Sequence, residues 1–310
     1  MNYIGKIIKE LRYELGINRK DLSENICTEK YVYLIEKGER TPSVEMVRLF
    51  SDKLGVDLFE YYQYLDCMNP IEVRKFIKQF EMYQRKSDYV ALKEVIDAAI
   101  ELPDFHHKPW SFEIELNNLC IMAFIENKYE EVIQRINKVL EEIEPKYSDG
   151  IYVANFYILL STCFQITGDL ANARLAVLSS YEIVRDMLKI EKYEQVITTV
   201  RINSMTMHYL NDEFGEAISI GNELLEFQSK INSYEMIHYA YFFLAFSYYK
   251  IGAFNESFEF FRKGIYSLMF DYKPMDVYYI TMQDIFEELA NDNRIDPKLV
   301  YEFKKRYDIK

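Results

Sequence analysis

Thr28, Glu29, Lys30, Tyr33 and Lys37 fall within ten residues, TEKYVYLIEK, that run into Gly38. At 3.6 residues per turn, Tyr31, Val32 and Ile35 turn to one side of such a helix. Glu29, Lys30, Tyr33 and Leu34 fall on other arcs. A hydroxyl, a carboxylate, an ammonium and a phenol there can recognise a partner by hydrogen bonds.

Catalytic chemistry has no comparable cluster, and the chain does not read as an enzyme. It contains no phosphate-binding glycine loop, no HExxH and no GxSxG. His106 and His107 are adjacent in LPDFHHKPW, but further metal ligands are missing around them. Neither a metal nor a cofactor is implied. His208 and His238 lie in apolar stretches and read as core residues, and Glu130-Glu131 and Glu141-Glu142 as solvated helix faces. Cys27, Cys67, Cys120 and Cys163 have no CxxC spacing, which predicts reduced thiols in a cytoplasmic protein. The most apolar run, YAYFFLAFSYY, falls short of the roughly 20 residues of a membrane span.

The elements that must position the polar run follow from periodicity and caps. Ile4, Ile7, Ile8, Leu11 and Leu15 predict a helix over 4–15, stopped by Gly16. Asn18, with Asp21 three residues on, caps a second helix, Arg19–Asn25. Thr28 caps a third, Glu29–Lys37, and Gly38 ends it. Ser43 caps a fourth, and a fifth begins near Leu58. Two short helices in tight succession on a small helical core make a helix-turn-helix.

These residues resemble the phage-repressor type of helix-turn-helix domain. The shared marks are LR…G-I-N-R-x-x-L-S, then Y-V-x-x-I-E-K-G-x-R-x-P-S and L-F-x-x-L-G-V. Arg19, where many members carry Gln, and Cys27, where an aliphatic is usual, depart from the pattern. The resemblance implies that Glu29–Lys37 enters the major groove of double-stranded DNA. Thr28, Glu29, Lys30, Tyr33 and Leu34 then become base-edge candidates. Lys30 suits guanine, Glu29 cytosine N4 and Leu34 a thymine methyl. Arg19 and Lys20 at the start of the second helix reach phosphate, and Lys37, Arg40, Thr41 and Ser43 position the backbone. Glu36 is expected to hold local structure.

Charge restricts how such a domain works. The chain carries −13 overall and residues 1–66 only −2. An acidic bulk repels nucleic acid, so any DNA contact is local.

Beyond residue 70 the chain repeats. Tyr89, Tyr129, Leu170, Phe214, Phe254 and Ile295 recur at intervals of 40, 41, 44, 40 and 41, each after a turn cluster. The clearest unit, 241–265, sets Ala245, Gly252, Ser257 and Gly264 around Tyr248 and Phe261. This small-aromatic-small spacing resembles the tetratricopeptide repeat, with longer helices. The expected fold is all-α: a five-helix helix-turn-helix domain over 1–66, a joint at 67–70, and an α-solenoid of five to six hairpins over 71–310.

Together the halves resemble the cytosolic peptide-pheromone receptors of the RRNPP type. The resemblance implies a transcriptional regulator used in quorum sensing, a homodimer on two half-sites, and a short signalling peptide in the concave groove of the repeats. First helices line that groove. Asn117, Asn118, Asn155, Gln165, Arg201 and Asn203 are its candidate polar contacts, Arg201 for a peptide carboxylate. Tyr239, Phe242, Phe246 and Tyr249 are its candidate pockets. The competing reading keeps the DNA-binding domain and gives the repeats a protein partner.

Overall fold

The computed structural model describes residues 3–147, 150–185, 193–270 and 283–306. Two compact units divide the chain at Asn127.

The first unit opens with α1 (Tyr3–Glu14), α2 (Arg19–Ser23), α3 (Glu29–Glu36) and α4 (Val44–Leu54). The expected fifth helix is a 3-10 segment, Leu58–Tyr64. The expected caps form. Asn18 Oδ1 accepts from the Asp21 N–H at 2.8 Å, Thr28 Oγ1 from Tyr31 at 3.2 Å and Ser43 Oγ from Met46 at 3.2 Å. Each satisfies one of the N–H groups that a helix start leaves without an intrahelical acceptor. Ile7, Ile8, Leu22, Val32, Ile35, Val47 and Phe50 close one core, each fully buried. At about 1.5–3 kcal/mol per large apolar side chain, that core holds the bundle. Leu15, assigned to the apolar stripe, is 49% exposed: α1 ends at Glu14, one residue short of it.

A second core lies under α5 (Pro70–Arg85), α6 (Tyr89–Ala99) and α7 (Trp110–Phe124), and it includes Tyr64 and Cys67 from before α5. Tyr64 stacks on Trp110 with ring centroids 5.0 Å apart. The first unit therefore extends past the expected joint and takes in the first hairpin.

The second unit runs through α8 (Tyr129–Glu141), α9 (Ile151–Thr167), α10 (Leu170–Arg185), α11 (Glu194–Leu210), α12 (Phe214–Lys230), α13 (Ile237–Lys250), α14 (Phe254–Phe270), α15 (Gln283–Ala290) and α16 (Pro297–Arg306). α9, α11 and α13 touch in succession, and α10, α12 and α14 each pack on the helix before them. That makes two layers, one of first helices and one of second helices. Helices α6, α8, α10, α12 and α14 begin at Tyr89, Tyr129, Leu170, Phe214 and Phe254, the first five recurring positions. Two residues before each stands a left-handed residue: Ser87, Asn127, Gly168, Asp212 and Gly252. Ile295 breaks this series, because it precedes α16 rather than starting it. Within α14, Gly264 allows close packing: a Cβ there would meet Phe242 Cε1 at 2.8 Å. Ser257 Oγ donates to Ala245 O across the same hairpin at 2.8 Å.

Cys67 and Cys163 are buried and Cys27 and Cys120 half-buried, all as free thiols. Burial pushes the Cys163 thiol up to about 12, which makes it a poor nucleophile. No helix among the described residues is long and apolar enough to cross a membrane.

Candidate nucleic-acid interface and ligand face

α3 is fixed from its C-terminal end. Glu36 is buried, and its carboxylate accepts from Arg12 Nε at 2.7 Å, Arg12 Nη2 at 3.3 Å and Arg19 Nε at 2.7 Å. Arg12 Nη1 also donates to Ile17 O at 2.9 Å, which ties down the turn between α1 and α2. The hydrogen bond to Glu36 is the main reason the Arg12 pKa rises further. Gly38, at φ +76°, ends the helix, with Gly38 N–H on Ile35 O and Glu39 N–H on Leu34 O. Gly5 lets α1 reach this end: a Cβ there would lie 1.8 Å from Ile35 O.

The other end of α3 faces solvent. Thr28, Glu29 and Lys30 are exposed, and Tyr33 is 39% exposed. Leu34 is half-buried, so its part in base contact is smaller than the sequence implies. The Tyr33 ring is flanked by cations, Arg19 Cζ 5.2 Å and Lys37 Nζ 4.8 Å from its centroid. The hydrogen bond to Tyr33 is the first cause of the raised Lys37 pKa. Lys20, Arg40, Thr41 and Ser43 are exposed around the same helix. Arg19 is less available for phosphate than expected, since Glu36 holds its Nε.

Residues 8–61 match the family model described as Helix-turn-helix. This stretch is a helix-turn-helix domain. α2 and α3 are the paired helices of the motif, and the N-terminal turn of α3 is exposed. A search of curated proteins found no match. Solved structures share the fold. Bacillus thuringiensis PlcR in complex with the peptide PapR7 and DNA is 20% identical, with a TM-score of 0.64 over 94% of this chain and 100% of that one. PlcR in its apo form is 17% identical, with a TM-score of 0.56 over 94% and 100%. A putative transcriptional regulator from Listeria monocytogenes EGD-e is 14% identical, with a TM-score of 0.50 over 99% of both chains. Behind the helix-turn-helix domain, then, lies the helical repeat array these structures share.

The ligand-face candidates separate by helix side. Arg201 and Asn203 are two residues apart on α11, so they point about 200° apart. Arg201 is fully buried; its Nη1 donates to Glu223 Oε2 of α12 at 2.9 Å, and Tyr181 Oη of α10 donates to the same oxygen at 3.2 Å. Arg201 therefore points into the second-helix layer, away from the expected groove. Its Nε and Nη2 have no acceptor among the described residues. Asn203, 4% exposed, shares the opposite side of α11 with half-buried Val196 and Thr199. Asn155, on α9, is half-buried with Ile158 and Thr162 on its own side.

Three other candidates, Asn117, Phe242 and Phe246, are internal. Asn117 is fully buried, its Nδ2 donating to Glu113 O at 2.7 Å and its Oδ1 accepting from Gln84 at 2.8 Å. Phe242 and Phe246 are 8% and 3% exposed, and Phe242 packs on Phe261, Phe286 and Phe303, so both are core. Tyr249 is half-buried with its hydroxyl on Glu288. Gln165 Nε2 lies 3.6 Å from Met207 Sδ, and Asn118 and Tyr239 are half-buried. Sequence reasoning missed Tyr181 and Glu223, because nothing local marks a residue whose partner lies 22 or 42 positions away. Among the described residues no three His, Cys, Asp or Glu gather as a metal set.

Proposed function

We propose that this chain is a transcriptional regulator that reads double-stranded DNA with α3 as a homodimer and takes a short signalling peptide on its repeats. The observation that carries the DNA half is the exposed turn Thr28–Glu29–Lys30 with Tyr33, on a helix whose far end Glu36 anchors to two arginines. Lys30 reaches a guanine edge, Glu29 a cytosine amine, and Lys20, Lys37 and Arg40 the flanking phosphates. The net −2 of residues 1–66 leaves the binding dependent on this small face.

The peptide half rests on the side of α9 and α11 that holds Asn155 and Asn203. Side-chain amides on a row of first helices can donate to and accept from the backbone of an extended peptide. The solved PlcR complex, which shares this fold, holds a peptide and DNA.

The test has two arms. Selection from a random duplex library yields an operator, and binding to it is measured across salt. A thermal melt against a panel of five- to ten-residue peptides then seeks a sequence-specific rise that Asn155→Ala/Asn203→Ala abolishes. Selection of no sequence above background overturns the DNA reading. With DNA binding established, a silent peptide panel shifts the repeats to a protein partner.

A further inference from the structure

The joint between the helix-turn-helix bundle and α5 is held by a residue from well down the chain. Asp104 lies on the 3-10 turn Pro103–His106 between α6 and α7 and is 5% exposed. Its Oδ1 accepts the Met68 N–H at 2.5 Å. Its Oδ2 accepts the Asn69 N–H at 3.2 Å and Asn69 Nδ2 at 3.0 Å. From the other side, Lys6 Nζ of α1 donates to Met68 O at 2.6 Å. Two successive residues are thus gripped by a repeat-side carboxylate and a bundle-side ammonium. Cys67, beside them, is 1% exposed. All of these residues belong to the first compact unit.

A buried carboxylate is an expensive way to add stability alone, since an apolar contact of similar volume avoids the desolvation. What the carboxylate adds is direction. Two oxygens that accept two consecutive backbone N–H groups fix the φ and ψ between them, and through those the angle at which the chain enters α5. Other fastenings lie to one side, among them Arg74 of α5 on Glu60, Arg74 Nη1 on Tyr61 Oη at 3.3 Å, Lys78 Nζ on Glu60 at 3.4 Å, and the Tyr64–Trp110 stack. They join the 3-10 segment to the helices, whereas at the joint itself Cys67 N–H donates to Tyr64 O at 3.1 Å and the next two N–H groups, of Met68 and Asn69, go to Asp104.

We propose that Asp104 is the positioning residue that sets the angle between the helix-turn-helix bundle and the first hairpin, and so the operator spacing the homodimer accepts. This rests on the DNA-binding reading. α3 itself does not touch Asp104, so affinity for a single half-site is independent of it. Discrimination between spacings is not, because each base pair inserted between half-sites rotates one of them by about 34° against the other.

The experiment compares wild type with Asp104→Ala on the selected operator and on versions lengthened by one to five base pairs, with a lone half-site as control. Three charge-assisted bonds are lost, and one such bond is worth roughly tenfold or more. The expected result is that the wild-type preference for one spacing falls about tenfold or more while half-site affinity stays within about twofold. An unchanged spacing preference overturns the inference and leaves DNA binding standing. If wild type selects no operator, the DNA reading fails, and the angle is read directly by spin labels at exposed Glu45 and Lys93. A narrow wild-type distance distribution that broadens in Asp104→Ala supports the positioning role, and identical distributions refute it. Should Asp104→Ala not fold, Asn69→Ala removes one of the three bonds and enters the same assays with a smaller expected change.

Discussion

Replacing Glu36 with Ala should damage the helix-turn-helix bundle out of proportion to its size. The carboxylate side chain is 1% exposed and the Arg12 side chain 5%, so the substitution leaves a guanidinium in the core without its counter-charge, only Ile17 O still accepting from it. Removing one member of a buried pair costs about 3–5 kcal/mol. At about 0.05–0.15 kcal/mol per residue, a bundle of this size holds only some 3–10 kcal/mol. A loss of that scale lowers the melting temperature by about 15–30 °C. Urea unfolding followed by circular dichroism gives the free energy, and hydrogen exchange over residues 4–54 shows whether the loss is local. The double substitution Arg12→Met/Glu36→Leu removes charge and partner together. It should fall within about 2 kcal/mol of wild type, since well-packed apolar groups replace buried ion pairs without penalty. A Glu36→Ala cost below about 1 kcal/mol, or a double variant as unstable as the sum of the singles, would refute the account of how α3 is anchored.

Lys30→Ala should relax preference at one base pair, by about 1–3 kcal/mol in a binding-site selection, whereas Lys20→Ala should weaken all sites alike and lower the salt slope by about one. Arg201→Met should leave any peptide affinity intact and be neutral or stabilising by about 1–4 kcal/mol, because it removes a buried cation with two donors unmatched among the described residues; Asn203→Ala should show the reverse in calorimetry. Burial and then repulsion from Glu81 raise the Glu113 carboxyl to about 7 from its ordinary 4.5. For an acid raised on folding, the penalty appears as pH climbs past 4.5 and is complete above 7, so the first unit should lose about 1–3 kcal/mol of stability across that window and Glu113→Gln should flatten the pH profile of its melting temperature.

Much of the architecture was legible because it depends on local signals. Caps at Asn18, Thr28 and Ser43 act within three residues, and Gly38 stops α3 by its own conformation. The large apolar residue at the head of each second helix follows a left-handed turn residue at a fixed distance, which is why the period showed without an alignment. The ligand face was harder to read for an equally physical reason. Helical periodicity says which residues share a side, but not which neighbour that side meets. Arg201 and Asn203 are both polar residues on a strongly apolar helix, yet one points at Glu223 and the other away from it. Phe242 and Phe246 look the same in sequence whether they line a pocket or meet Phe286 and Phe303. Asp104 was hidden by distance, its partners being 36 and 35 residues away.

The turns that open the second helices also say where this chain can take extra length. Those within a hairpin hold two to four residues, as at 86–88, 168–169 and 251–253, and each is closed by backbone hydrogen bonds. Connections between hairpins are longer where they are fully described, ten residues at 100–109 and six at 231–236. An affinity tag, a fluorescent reporter or an inherited insertion would break the first kind and be absorbed by the second. Growth of such an array is therefore confined to one rim, and relatives of different length should differ there while their opposite rims superpose.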